Sequence, residues 1–234
     1  MVDNVEVGTA DVHEEEIESR FEAALAVGLV IGLQLTLALV SLGNGWRLIE
    51  LPGWVWLIPA LPEAALLVAL SWAAPRHRLE QMGHRRTVAL ALVGVITAAN
   101  ALALVALIAS VLNGQEKSGG ELLFKGMTIW STNVVTFGLL FWEFDRGGPI
   151  RRGAPGPPAR DFQFPQDENP TLAEANWHPR LADYVYVSFT NAIAFSPTDA
   201  MPLTRRVKMM MLVESAISAT TVLLVAARAV NILR

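Results

Sequence analysis

The chain has 234 residues, of which 53% are hydrophobic and only 17% are charged, with a formal net charge of −4 at pH 7. Soluble domains carry about 25% charged residues, so this composition is too apolar for an ordinary soluble protein. The chain contains no cysteine, which excludes disulfides, thiol catalysis and thiolate metal sites. Its basic residues form no stripe with interleaved aromatic residues, and we expect no nucleic-acid partner.

The apolar residues come in blocks of about twenty, the length that a helix needs to cross ~30 Å of hydrocarbon. We therefore predict an all-α fold: a polytopic membrane helical bundle with about five spanning helices, embedded in the lipid bilayer. Residues 1–20 form an acidic N-terminal extension, and residues 21–144 form a four-helix membrane region. The predicted spans cover residues 21–42, 54–74, 87–112, 122–144 and 207–233.

The connection at residues 145–180 differs from the rest of the chain, because Gly and Pro cluster between residues 147 and 158. Such a composition does not favour a packed core, so we interpret this segment as an extended soluble connection. Basic residues are concentrated here, in the loop at residues 75–86 and near Arg205. Lys and Arg near span ends favour the cytoplasmic side. This places the N-terminus and these loops on the cytoplasmic side of a bacterial inner membrane, and the C-terminus on its outer side.

A short apolar block at residues 181–195 precedes the last span. About fifteen residues are too few for a comfortable crossing, and the basic residues place both ends of the block on the same side. The block is therefore predicted to enter the membrane and return, or to lie in its interface. Re-entrant backbone is tolerated where it is buried in protein or lines a wet cavity. Residues 181–234 thus form a short re-entrant or interfacial helix and a final spanning helix.

Two acidic residues lie inside predicted spans. Glu63 lies about nine residues and Glu214 about seven residues from the start of its predicted span, hence ~10–13 Å deep. Intramembrane acids commonly mark ion or proton pathways, but a hydrogen-bonded acid can also stabilise the contact between helices. Both interpretations stay open for Glu214, whereas the structural one is favoured for Glu63, because Pro59 and Pro62 free backbone groups that its carboxyl can satisfy. Glu214, Ser218 and Thr221 share one helix face, so we expect Glu214 to point into the protein. The candidate path residues are Glu214, Glu63, Asn100, Asn133, Ser218 and Thr221.

The turn after the short block is a second candidate site. Ser196, Pro197 and Asp199 suit the first turn of a helix, which is the structural interpretation. In the functional interpretation the turn lines the mouth of a path, with Thr190, Asn191, Thr198 and Asp199 at its tip.

Other ionisable residues suggest no chemistry. Lys125 and Arg228 lie near span ends, where long side chains can extend toward the headgroups. The sequence shows no nucleophile–base pair and no cluster of metal-ligating residues. We therefore predict no enzymatic activity, no cofactor and no metal.

The last fifty residues resemble an uncharacterised family of bacterial multi-pass inner-membrane proteins. That family has a hydroxyl and aromatic run, a Ser-Asp or Thr-Asp turn, basic residues after a Thr, and a terminal helix that ends near an Asn. Glu214 stands where the family has His, and the family implies no activity. The matching residues are Tyr186, Ser188, Phe189, Thr190, Phe195, Thr198, Asp199, Thr204, Arg205, Arg206, Ser215, Ser218 and Asn231.

Residues 192–204 also resemble, more remotely, the pore segment of potassium channels, with a trailing Asp and a Pro-x-Thr. The filter glycines are missing, and Ser196 and Pro197 stand where backbone freedom is needed. The charge rule also makes this segment enter from the cytoplasm, which is the wrong side for that family.

The sequence is most consistent with a channel-like or transporter-like protein that forms a polar path for an ion, proton or small solute, and we expect a homo-oligomer. The alternative is a membrane scaffold that binds partner proteins through its acidic N-terminus and residues 145–180, with no transport activity.

Overall fold

The computed structural model describes residues 3–48, 51–71, 84–115, 118–152, 156, 158–174, 177–196 and 199–232. The described chain is mainly helical and confirms the predicted all-α class. Its elements are α1 (Asp3–Asn44), β1 (Arg47–Leu48), β2 (Leu51–Pro52), α2 (Ala60–Ser71), α3 (Arg85–Leu112), α4 (Gly119–Phe144), α5 (Pro149–Arg152), β3 (Phe162–Gln163), α6 (Pro165–Glu168), α7 (Leu181–Ala194), β4 (Met201–Pro202) and α8 (Arg205–Ile232). Short 3₁₀ turns lie at Gly53–Leu57, Asp145–Gly147 and Pro170–Leu172.

Within the described residues, four helical segments are long and apolar enough to cross a membrane. Their outward faces carry large exposed hydrophobic side chains, such as Leu25 and Leu39 on α1 and Leu102 on α3. The candidate spans are Phe21–Asn44, Gly53–Ser71, Arg85–Leu112 and Arg205–Arg228. They correspond to four of the five predicted spans.

The remaining predicted span, residues 122–144, forms α4. This is the central helix and is not one of the four apolar candidates. It packs against α1, α3, α7 and α8, and residues 132–139 are all buried. The middle of α4 is covered by other helices, so its side chains need not form an apolar outer face, whereas Leu123 and Met127 nearer its start are exposed. This explains why α4 carries polar side chains such as Thr132, Asn133 and Thr136 in its middle, all of which are buried.

Part of the connection between α4 and α7 belongs to the core. Phe162 and Phe164 are buried, and the Phe162 ring lies 5.2 Å from Phe141 and 6.0 Å from Tyr184, centroid to centroid. Burying a Phe side chain is worth roughly 1.5–3 kcal/mol, which is enough to anchor a segment otherwise rich in Gly and Pro. The expectation of an extended connection at residues 145–180 is therefore wrong for its middle part.

The buried carboxylate of Asp145 organises this end of the bundle. It accepts hydrogen bonds from the backbone N–H groups of Asp161 (2.8 Å) and Phe162 (3.2 Å) and from the Tyr184 hydroxyl (2.5 Å). The Arg146 guanidinium lies 3.5 Å from the same carboxylate. A buried charge is tolerated when it is paired and hydrogen-bonded, and here its partners join the end of α4 to β3 and α7.

The segment from α7 to β4 is a hairpin whose two ends lie at the same end of the bundle. At its start, the Leu181 N–H donates to Glu22 Oε2 of α1 (3.1 Å). At its end, β4 pairs antiparallel with β3, with Phe162 opposite Pro202. The chain turns just after α7, where Phe195 adopts a left-handed conformation with φ 55°. We call the described residues 181–196 and 199–202 the α7 hairpin.

The α7 hairpin approaches α4 closely at Gly138. A Cβ atom at this position would lie 2.7 Å from Val185 Cγ2 and 2.9 Å from Val185 Cα. Because the second contact is with backbone, a larger residue would push the hairpin away from α4. Gly138 thus sets the depth to which the hairpin can pack between α4 and α8.

Candidate functional site

Glu214 lies on the buried face of α8. Glu214, Ser218 and Thr221 are all buried, as their spacing on one helix face predicts. The expectation that Glu214 points into the protein is confirmed. The Thr221 hydroxyl donates within its own helix, to the Ile217 carbonyl (2.8 Å).

Both carboxyl oxygens of Glu214 are held by the α7 hairpin. The Ser188 hydroxyl is hydrogen-bonded to Glu214 Oε1, and Asn191 Nδ2 donates to Oε2 at 2.6 Å. From the other side, Asn133 Nδ2 of α4 donates to the Glu214 carbonyl (3.2 Å) and to Ser218 Oγ (2.9 Å). These residues form what we call the Glu214 cluster, which joins α4, the α7 hairpin and α8.

Asn191 also ties the hairpin to the backbone of α8. Its Nδ2 donates to the Met211 carbonyl at 3.0 Å, and its own carbonyl accepts the Ser215 hydroxyl at 3.4 Å. Of the expected tip residues, Asn191 is the one that reaches Glu214. The Thr190 hydroxyl instead donates to the Val187 carbonyl (3.0 Å), Asp199 is exposed, and Thr198 lies outside the described residues.

Ser188 is the member of the cluster that sequence reasoning missed as a site residue. Tyr184, Ser188 and Asn191 are four and three residues apart and are all buried. This is the same helical spacing that identified the polar face of α8. Applied to the short apolar block, it would have identified the buried polar face of α7 as well.

The Ser188 hydroxyl has more acceptors within reach than it has protons. It lies within hydrogen-bond distance of two acceptors, the Val134 carbonyl (2.7 Å) and Glu214 Oε1. A serine hydroxyl has one proton and can donate to only one of them. A proton on Glu214 Oε1 resolves this: the carboxyl donates to Ser188 Oγ, and Ser188 donates to Val134. The hydrogen-bond count is complete when Glu214 is a neutral carboxylic acid.

Glu63 is held separately, by α1. It is fully buried on α2, and Gln34 Nε2 donates to its Oε1 at 3.0 Å. Glu63 Oε2 and Gln34 Oε1 are both buried without a hydrogen-bond partner. An acid and an amide can exchange two hydrogen bonds when the acid carries its proton, which would satisfy both atoms. Asn100 is buried on α3. Of the candidate path residues, Glu63 and Asn100 thus lie on α2 and α3, whereas the Glu214 carboxyl is bound by the α7 hairpin.

Lys125 forms a third polar pair, at the end of α4 opposite Asp145. The expectation that its side chain extends toward the headgroups is wrong, because the side chain is fully buried. Its ammonium donates to Glu121 Oε1 (2.7 Å) and to the Arg47 carbonyl (2.8 Å). Residues four apart on a helix are neighbours, and the backbone at β1 supplies a further acceptor.

Within the part of the chain that the structure describes, no three His, Asp or Glu side chains are grouped so that they could hold a metal ion. Comparison with protein-family models, with curated proteins and with solved structures finds no match to this chain. The interpretation of the site therefore depends on its own geometry.

A double-mutant cycle tests the contact between the hairpin and α8. We expect Glu214→Leu and Asn191→Leu to be non-additive in the free energy of unfolding in detergent, with a coupling of about 0.5–3 kcal/mol, as for residues in one hydrogen-bond network. Glu214→Leu combined with Gln34→Leu is the control, because Gln34 belongs to the separate Glu63 pair, and it should be additive within about 0.5 kcal/mol. Additivity in both pairs would show that Asn191 does not support Glu214.

Proposed function

We propose that the chain is an integral membrane protein that forms a polar path for an ion, proton or small solute, with Glu214 as the carboxyl on that path. The observation that carries the proposal is the burial of this carboxyl between α8 and a hairpin that enters from one end of the bundle.

The four apolar helices support the membrane location. Exposed leucines and valines lie along them, for example Leu29, Val105 and Leu223. Soluble proteins seldom expose apolar patches of this extent, whereas lipid tails cover such surfaces at no cost. The polar side chains of α4, in contrast, lie inside the bundle.

The α7 hairpin supports a path rather than a plain bundle. Its helix is followed by non-helical backbone that returns to β4, and in a membrane such backbone occurs only inside protein or along a wet cavity. Asn191 bonds to the carbonyl of Met211, which lies six residues, hence roughly 9 Å, along α8 from its start at Arg205. Asn191 therefore brings a polar group of the hairpin to the depth of Glu214.

The Glu214 cluster offers chemistry for a proton or a cation. A protonated Glu214 carboxyl, held by the Ser188 hydroxyl, can release its proton to a solute that reaches the cluster and take one up again. Once deprotonated, the same carboxylate could bind a cation, with the amide of Asn191 alongside it. Asn133 holds the backbone of Glu214 in place from α4.

A specific observation favours the alternative of a scaffold. Both oxygens of Glu214 already have partners within the protein, and such satisfied polar contacts also stabilise helix packing. In that case the cluster has no transport role. The flux experiment below separates these two functions.

Proteoliposomes of the purified chain test the path. We expect proton flux, followed with a pH-sensitive dye, or K⁺ flux to exceed that of empty liposomes. Glu214→Gln should lower this flux roughly tenfold or more, which corresponds to raising a barrier by about 1.4 kcal/mol, while leaving assembly intact. Glu63→Gln is the matched control and should leave the flux unchanged. If Glu214→Gln assembles and conducts like the wild type, Glu214 is not on the path. If neither ion moves through the wild type, the scaffold is favoured.

We also propose a cytoplasmic N-terminus and an outside C-terminus. Arg206 donates to the Phe144 carbonyl (3.4 Å), so the start of α8 and the end of α4 lie at one end of the bundle. Arg85 and Arg86 line the same cavity as Glu143 and belong to this end too. Most of the predicted basic loop at residues 75–86 lies outside the described residues. Basic residues of this density favour the cytoplasm.

Single-cysteine labelling checks the orientation, since the chain has no native cysteine. We expect a membrane-impermeant reagent added to intact cells to label Gly114→Cys, in the loop between α3 and α4, and not Gly156→Cys, beyond the end of α4. Both positions are exposed. The reverse pattern would invert the proposed topology.

A further inference from the structure

A cavity of about 560 Å³ lies at the Glu143 end of the bundle and shares no residue with the Glu214 cluster. Helices α1 to α4 and the start of α5 enclose it. Its volume falls within the roughly 300–1,000 Å³ typical of small-molecule sites. The cavity is unused by the proposed path.

The walls of the cavity are apolar. The side chains that form them come from four different helices, so the cavity is a gap within the bundle rather than a groove on one helix. They include Val27, Leu67, Leu70, Leu92, Val93 and Leu139. Such walls suit a hydrocarbon chain.

The rim of the cavity is positively charged. Arg85, Arg86 and Arg151 lie on it, with Glu143 as the acidic residue among the lining residues. Arg86 and Arg151 are exposed, whereas Glu143 is buried. Glu143 interacts electrostatically with Arg85, Arg86 and Arg152, so the cations outnumber it. The rim as a whole therefore attracts an anion.

A tight glycine turn lies beside the rim of the cavity. Gly148 has φ +94°, and a Cβ atom there would lie 3.1 Å from the Glu143 carbonyl oxygen. A residue with a side chain would be strained in this conformation. The turn thus keeps the backbone close against the end of α4, beside the cavity that Gly147 and Gly148 help to line.

We propose that this cavity binds an anionic glycerophospholipid of the surrounding membrane, with an acyl chain between the apolar walls and the phosphate at Arg86 and Arg151. The proposal rests on the membrane location proposed above. Basic pockets between helices at the cytoplasmic end of a membrane protein are suited to anionic headgroups, and the planar guanidinium matches phosphate oxygens bidentately. An apolar pocket beneath a cationic rim complements both ends of such a lipid.

Native mass spectrometry of the purified full chain, titrated with phosphatidylglycerol or phosphatidylcholine, tests this site. We expect one phosphatidylglycerol to be retained several-fold more strongly than phosphatidylcholine. Arg86→Gln with Arg151→Gln should weaken phosphatidylglycerol binding roughly tenfold, equivalent to about 1.4 kcal/mol. Arg205→Gln with Lys208→Gln is the matched control, because both are exposed basic residues at the same end of the bundle but outside the cavity, and it should change nothing.

The apolar part of the site is tested by filling it. Ala89 lines the cavity, and Ala89→Phe should abolish retention of the lipid. If that variant does not fold, a fluorescence experiment replaces it. Trp142 also lines the cavity, and phosphatidylglycerol with brominated acyl chains should quench its fluorescence. Trp142→Phe is the control. Equal retention of both lipids, lipid binding unaffected by Ala89→Phe, or unquenched Trp142 would overturn the proposal. So would inorganic phosphate alone displacing the lipid at equal concentration. These readouts do not depend on flux, so they fail independently of the proposed path.

Discussion

The hydrogen bonds to the Glu214 carboxyl hold the α7 hairpin against α8, and the packing of the hairpin depends on them. Ser188 and Asn191 reach this carboxyl from the hairpin, while Asn133 fixes the adjacent backbone from α4. A buried polar group without a partner costs on the order of 1–3 kcal/mol. Moving the hairpin away would leave several such groups unpaired at once. The cluster therefore selects one position of the hairpin among the many that apolar packing alone would allow.

The requirement that buried polar groups have partners also applies at the two ends of α4. At one end, Lys125 is buried against Glu121 and the Arg47 carbonyl. At the other end, Asp145 accepts hydrogen bonds from the backbone N–H groups of Asp161 and Phe162 and from the Tyr184 hydroxyl. The middle of the central helix is buried, so polar side chains there can find partners within the protein. This explains how a helix with polar residues at its centre packs between α1, α3, α7 and α8.

The sequence predicted those features that depend on composition and helical spacing. Block length identified the apolar helices, and the spacing of Glu214, Ser218 and Thr221 identified the buried face of α8. It did not predict contacts that depend on elements far apart in the chain. Phe162 packs on Phe141 and Tyr184 although it lies in a segment rich in Gly and Pro. Lys125 is buried because the backbone at β1 meets it, which no pattern around Lys125 shows. The burial of Ser188 could have been predicted from the sequence, since its spacing to Tyr184 and Asn191 places all three on one helix face.

The protonation of Glu214 is the point on which the geometry of the cluster depends most directly, because Ser188 has one proton for two acceptors. Infrared spectroscopy of the purified chain at neutral pH measures it. Our account predicts a carboxylic C=O band in the wild type that is missing in Glu214→Gln and shifted in Ser188→Ala. Glu63→Gln should leave that band in place. A spectrum of Glu214→Gln identical to the wild type throughout the carboxylic region would show that Glu214 is ionised and would contradict the account.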